Sequence, residues 1–207
     1  MDFARQHGAG REHGQSPMPL EPQSDWQRGP LVRYLRWVLI GMLVLMTVYP
    51  VGRYIWREYR WRWIIVHHTG SDNGNLDWII REHQAKGWKD AAYHFVVNNG
   101  SRDTVAGQIE ISQRWQDREN AGSTQRSYVN EFGIAIVMIG NLQNHPPPLL
   151  QREALLSLLV RLASKYDIPP ERIRGHNELQ NTKCPGKHLD MQQVRREVAA
   201  KLASMEK

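Results

Sequence analysis

Trp63-Ile64-Ile65-Val66-His67-His68-Thr69-Gly70 is the stretch on which the fold turns. Four consecutive apolar residues with no polar alternate are the pattern of a strand covered on both faces inside a sheet. The run stops at two imidazoles, a hydroxyl and a glycine, so polar groups gather where the strand ends. In open α/β sheets that end is where ligands bind. Strand alternation sends neighbouring side chains to opposite faces, so only one of His67 and His68 reaches a given site.

Downstream, Asn75 is placed to cap a helix with Leu76, Ile79, Ile80 and His83 at i, i+3, i+4 and i+7, stopped by Gly87. Residues 93–97, Tyr93-His94-Phe95-Val96-Val97, predict a second strand, turned by Asn99-Gly100 towards a hairpin partner over 108–111. Alternation separates Tyr93 from His94 as it does the earlier pair. Residues 133–140 predict a third, fully apolar strand, and residues 149–166 an amphipathic helix behind a run of prolines. Ile173 leads into Gly175-His176, and Asp190 with Gln193 makes a capping box for a last helix reaching about Ser204. Strands alternating with helices predict an α/β fold, a central mixed β-sheet with helices on both faces.

Upstream, residues 37–52 pass without a charge between Arg36 and Arg53, with Tyr34, Trp37, Tyr49 and Tyr54 near the ends as interface aromatics. A helix of that length covers about 24 Å, short of the ~30 Å hydrocarbon core but workable if the flanking arginines snorkel. We read residues 31–53 as an uncleaved transmembrane anchor, because no small-x-small cleavage site precedes Arg53 and a long polar segment comes first. That segment, residues 1–30, is rich in Gly, Pro, Gln and charge and reads as a disordered tail. Residues 57–207 remain as the folded domain.

Composition narrows the function. At 207 residues, 41% hydrophobic and 23% charged, the chain is neither disordered nor collagen-like. Its single cysteine excludes the internal disulfide framework of a small secreted scaffold and leaves a thiol for other chemistry. The formal charge of +6 suits an anionic partner, and the arginines cluster about the apolar run, a footprint of a membrane surface and not of a nucleic-acid groove. Nucleic acid is not expected as a partner.

His176 and Cys184 lie in one Gly- and Pro-bounded loop that can fold an imidazole and a thiolate around one ion. On spacing alone the pair reads equally as a surface histidine and a small buried apolar cysteine. His67, at the end of its strand, supplies a third potential ligand. Two histidines and a cysteine make the count of a catalytic zinc with an open fourth position, whereas structural sites close with four. Imidazole plus thiolate favours zinc over magnesium or calcium.

With these residues in view the chain resembles the zinc-dependent N-acetylmuramoyl-L-alanine amidases, the family of the phage lysozyme-type amidases and the peptidoglycan recognition proteins. Four segments carry the likeness in order: Ile64-Ile65-Val66-His67-His68-Thr69, Gly87-Trp88-Lys89-Asp90 through Tyr93-His94-Phe95-Val96-Val97, residues 133–141, and Gly175-His176-Asn177-Glu178 through Cys184-Pro185-Gly186. The resemblance implies that His67, His176 and Cys184 hold Zn2+, that Tyr93 and Thr182 are catalytic, and that Trp88 and Asn177 contact substrate. It departs where many members carry Gly-Ala-His, since this chain has Asn120-Ala121-Gly122-Ser123, and where some relatives carry a glutamate, since Val137 stands there. Proton transfer then falls to the zinc-bound water, to Tyr93 and to a nearby carboxylate, for which Glu178 is a candidate that reads equally as a solvated charge.

The implied activity is hydrolysis of the amide between N-acetylmuramic acid and L-alanine of the peptidoglycan stem peptide. Such a substrate places the domain on the outer side of the cytoplasmic membrane, facing periplasm or cell wall, on a single-pass anchor. Peptidoglycan or muropeptides are then the partner, with the membrane engaged through the N-terminal helix. Two alternatives stand: a non-catalytic peptidoglycan-binding module, and a cytoplasmic amidase that recycles muropeptides.

Overall fold

The computed structural model describes residues 29–205, so the expected tail, residues 1–30, lies almost wholly outside the described residues. Contacts divide the chain after Pro50. Helix α1, Pro30–Tyr59, overruns the 31–53 expected of the anchor at both ends and takes in Pro30 from the expected tail. It is long and apolar enough to cross a membrane, a property that a signal sequence near an N-terminus shares.

The residues from Val51 onward build one five-stranded sheet. Its strands are β1 (Trp63–His68), β2 (Phe95–Asn99), β3 (Ala106–Ile111), β4 (Gly133–Met138) and β5 (Ile173–Gly175), in the order β3-β2-β4-β1-β5. The hairpin β2-β3 is antiparallel and the other three pairings are parallel, so the sheet is mixed, as the alternation of elements predicts. Helices α2 (Leu76–Gln84), α5 (Leu149–Tyr166) and α6 (Met191–Met205) cover it, with short α3 (Gln113–Gln116) and α4 (Ser127–Phe132) between strands. The two short helices were not legible from periodicity, since one turn leaves no repeat to detect.

Alternation divides the core cleanly. Phe95, Val97, Ile136 and Met138 face α5 and α6, whereas Val96 and Val137 face Ile79 of α2. Both faces of β4 are therefore buried, which is why every one of its residues is apolar or glycine. Gly133 is required at its start, because a Cβ there would lie 2.2 Å from the Val129 carbonyl oxygen of α4.

Three expected boundaries shift for local reasons. Strand β2 begins at Phe95 and not at Tyr93, because the His94 side chain intervenes in the ladder: its Nδ1 accepts from the Ala135 N–H at 2.9 Å. Strand β4 ends at Met138, short of Gly140. The capping box before α6 is half made. Asp190 Oδ1 accepts from the N–H groups of Gln192 and Gln193, but the Gln193 side chain turns forward to Glu197 at 2.9 Å. Asn75 caps α2 as expected, its Oδ1 accepting from the Trp78 N–H at 2.9 Å. Glu110 of β3 adds a second acceptor, to the Leu76 N–H at 2.8 Å.

The last turn of α1 is tied into the domain by Glu58, which is buried and bonded to Arg118, to Lys165 at 2.7 Å and to the Tyr166 hydroxyl at 3.2 Å. Burial acts to raise the Glu58 carboxyl, but the hydrogen bonds from Arg118 and Lys165 outweigh it and hold the group below the usual carboxylate range. Glu58→Ala is expected to lower stability by about 2 kcal/mol. This is less than the ~3–5 kcal/mol of a fully buried pair, because Lys165 keeps about half its side chain in water. Denaturant midpoints of the full chain check it, and an unchanged midpoint would remove the tether from the account.

His94 is wholly buried between the Trp61 and Trp115 rings, and its two nitrogens are committed to the Ala135 N–H and the Glu119 carbonyl. Burial pushes its pKa down to about 3. The unfolded chain then takes up the proton first, so this contribution is complete above the ordinary imidazole value near 6.5 and drains away as pH falls towards about 3. The expected slope over that window is about 1.4 kcal/mol per pH unit. Chemical denaturation across pH, with the His94 ring followed by NMR, measures it; a ring titrating near 6.5 would contradict the assignment.

Candidate functional site

Parallel pairing brings the carboxyl ends of β1 and β5 together, Val66 beside Gly175, so His67 and His176 emerge side by side. His67 points to the α2 side of the sheet with a relative exposure of 1%, and its ring centroid lies 4.5 Å from that of His176. His68, on the opposite face, is excluded from the pair: its Nδ1 accepts from the Leu142 N–H at 3.0 Å. Alternation alone makes that selection.

Cys184 arrives from a loop held by backbone contacts. Its carbonyl accepts from the Asn177 N–H at 2.7 Å, and its sulfur accepts from the His68 N–H at 3.3 Å. Gly186 lets the loop lie against residue 142, where a Cβ would come within 2.3 Å of the Leu142 carbonyl carbon; its φ of +100° suits glycine. Cys184 Sγ thus stands 3.6 Å from His67 Nδ1. One donor atom each from His67, His176 and Cys184 lie within 4.8 Å of one another.

The electrostatics suit a cation. Burial holds the His67 pKa well below its ordinary value, with the neighbouring histidines second, and burial likewise lowers His176, so both rings are neutral with lone pairs free. Burial pushes the Cys184 thiol up to about 12, a cost that an adjacent cation would reverse. His67 Nε2 and His176 Nε2 are buried with no hydrogen-bond partner among the described residues. Buried polar nitrogens are rarely left so. Three close donors, with an unpartnered nitrogen on each of the two imidazoles, fit a zinc ion in number and type.

Around this cluster the expected residues divide. Tyr93 is drawn in, its ring centroid 5.1 Å from that of His67 and its hydroxyl pKa raised by burial. Thr182 lies two residues before the thiol, its hydroxyl accepting from the Cys184 N–H at 3.3 Å. Trp88 stacks on His83 at 4.7 Å and keeps 47% of its surface exposed, and Asn177 is exposed beside His176. Glu178 is not available for proton transfer: its Oε2 accepts from the Gly175 N–H at 2.7 Å and from Arg195 at 2.9 Å, with Arg174 nearby. Val137 is buried in the core, so the third strand offers no carboxylate there.

Periodicity places His83 on the apolar face of α2 but does not bring it beside the site, where the structure puts it. His83 accepts from the Ala92 N–H at Nδ1, 3.1 Å, which puts the proton of the neutral ring on Nε2, and its ring lies 5.7 Å from Tyr93. The only signal was an imidazole on an otherwise apolar helix face.

Residues 57–187 match the protein family described as N-acetylmuramoyl-L-alanine amidase. Among curated proteins, peptidoglycan recognition protein 1 of Bos taurus is 25% identical over 183 residues, covering 75% of this chain and 90% of the relative. The fold is similar to that of N-acetylmuramoyl-L-alanine amidase LysC from Clostridium intestinale, with a TM-score of 0.60 and 22% identity over 69% of this chain and 88% of the other. It is likewise similar to the peptidoglycan recognition protein SA of Apis mellifera, at 0.55 and 24%, over 66% and 82%.

Proposed function

Since the chain belongs to the N-acetylmuramoyl-L-alanine amidase family, we propose that it cleaves the amide between N-acetylmuramic acid and L-alanine of the peptidoglycan stem, with zinc held by His67, His176 and Cys184. The observation that carries this reading is the convergence of three donors within 4.8 Å, on two imidazoles whose Nε2 atoms are buried without a partner among the described residues. Held by these three residues, a zinc ion would supply a Lewis acid for the carbonyl and a bound water with a pKa of about 7. The chain's own residues supply the rest. Tyr93, kept neutral by burial, retains its hydroxyl proton and donates it to the oxyanion that develops at the scissile carbonyl. Thr182 accepts from the Cys184 N–H, which orients its hydroxyl and leaves its own proton free for the same oxygen. Trp88 offers an exposed apolar face to the muropeptide, and Asn177 an amide.

In this reading residues 1–30 are a tail, residues 31–53 a retained anchor and residues 57–207 the amidase domain, set on the outer face of the cytoplasmic membrane where the substrate lies. The basic surface then attracts a polymer rich in carboxylates. A peptidoglycan-binding module is the second reading, favoured by Asn120-Ala121-Gly122-Ser123 standing where many members have Gly-Ala-His.

The test is direct. Full-length protein in detergent, loaded with zinc, is incubated with purified peptidoglycan and the soluble products are read by mass spectrometry. Free stem peptides beginning with L-alanine are expected. Binding without release would make the protein a recognition module.

A further inference from the structure

We propose that an arginine-lined cavity at the C-terminal end of α1 is a headgroup site for an anionic phospholipid, fastening the domain to the membrane surface. The inference rests on the reading of α1 as a retained anchor. The cavity, about 460 Å³, is walled by Arg53, Trp56 and Arg57 of α1, by Arg60 just after it, and by Arg114 and Arg118 from α3 and the turn that follows.

Cations outnumber acids there, five arginines against Glu119 and Glu131. Glu119 is shared with Lys89 at 3.4 Å, and Arg118 is already matched by Glu58. Arg114 is matched by Glu119 at 3.6 Å, whereas Arg57 and Arg60 donate to the backbone carbonyls of Asp117 and Arg118, which leave their charge unneutralised. Arg60 is the clearest case. It is only 5% exposed, lies over the Trp56 and Trp61 rings at 5.0 and 4.7 Å, and its Nε has no partner among the described residues. A buried guanidinium that faces Arg57 as well as Glu131, with a donor unused, has room for a further anion. Forked planar donors suit phosphate oxygens.

Position selects the source of that phosphate. Arg53 is the first charged residue after the sixteen uncharged residues 37–52, so the cavity begins where an anchored chain leaves the hydrocarbon. Trp56 in its wall is the aromatic type found at headgroup level. A phosphodiester fixed in the membrane surface is the anion available at that depth.

Native mass spectrometry of the full chain in detergent micelles, offered equal phosphatidylglycerol and phosphatidylcholine, tests the site. Phosphatidylglycerol should be retained about fivefold over phosphatidylcholine, the effect of roughly one effective arginine contact. R53Q/R57Q and, separately, R60Q should bring the ratio to parity. R33Q/R36Q, which removes the same charge at the other end of the helix, should keep it. Equal retention of the two lipids by the parent, or equal loss in R33Q/R36Q, overturns the proposal. Excess sn-glycerol 3-phosphate should not displace the lipid; displacement would make this a site for free phosphates and overturn the lipid assignment. Since R60Q removes a buried group, R53Q/R57Q carries the test if R60Q fails to fold. Alkaline carbonate extraction separates this proposal from the anchor: protein released by carbonate overturns the anchor, whereas protein that stays in the membrane without a lipid preference overturns the headgroup site alone.

Discussion

Cys184→Ala is expected to slow release of stem peptides from peptidoglycan by about 10³-fold or more, while the domain stays folded. The sulfur is one of three donors within 4.8 Å, and a metal that polarises a carbonyl supplies several kcal/mol of transition-state stabilisation, at ~1.4 kcal/mol per tenfold of rate. Losing the thiolate leaves His67 and His176, too few to hold zinc firmly against exchange. Folding should survive, because the loop is held by the Asn177–Cys184 backbone bond at 2.7 Å and by the close approach of Gly186 to residue 142, neither of which uses the sulfur. Metal content by elemental analysis and thermal melting accompany the rate. A variant that keeps parental zinc content and cleavage would show that the cluster is not the catalytic centre.

The Tyr93→Phe change probes a different part of the site. The expected loss in kcat is about 10²–10³-fold, or ~2.7–4 kcal/mol, the worth of one positioned donor to an oxyanion, with KM and zinc content little changed. The hydroxyl is suited to that role by its surroundings. Burial foremost, and the nearby Cys184 second, raise its pKa, so the proton is present at every pH at which the enzyme would work. The ring is fixed between His67 at 5.1 Å and His83 at 5.7 Å, which limits its freedom before substrate arrives. Steady-state kinetics on a defined muropeptide decide the matter. A fall in zinc content parallel to the fall in rate would assign Tyr93 to holding the site and not to the transition state.

Neither Glu178 nor the Val137 position of β4 offers a free carboxylate for proton transfer. Glu178 is spent on Gly175 and Arg195, and Val137 is core. On the proposed reading Tyr93 would remain for that transfer, together with the water that a metal held by His67, His176 and Cys184 would supply.

What the sequence determined by itself was whatever short-range physics decides. Residues 63–66 read as a doubly covered strand, Asn75 as a helix start, and alternation put His67 and His68 on opposite faces so that only one imidazole of the pair reaches a given site. The order of motifs likewise sufficed to name the family. Tertiary structure alone decided the rest, because it depends on distances between residues far apart in the chain. The 3.6 Å approach of Cys184 to His67 spans 117 positions and depends on the backbone fit of Gly186 against residue 142. The capture of Glu178 by Arg195 and of the Gln193 side chain by Glu197 are competitions between partners that no local pattern can rank. So is the binding of Glu58, at the end of an apolar helix, to Arg118 and Lys165: a carboxylate there reads as an ordinary solvated charge until the fold brings its two cations to it.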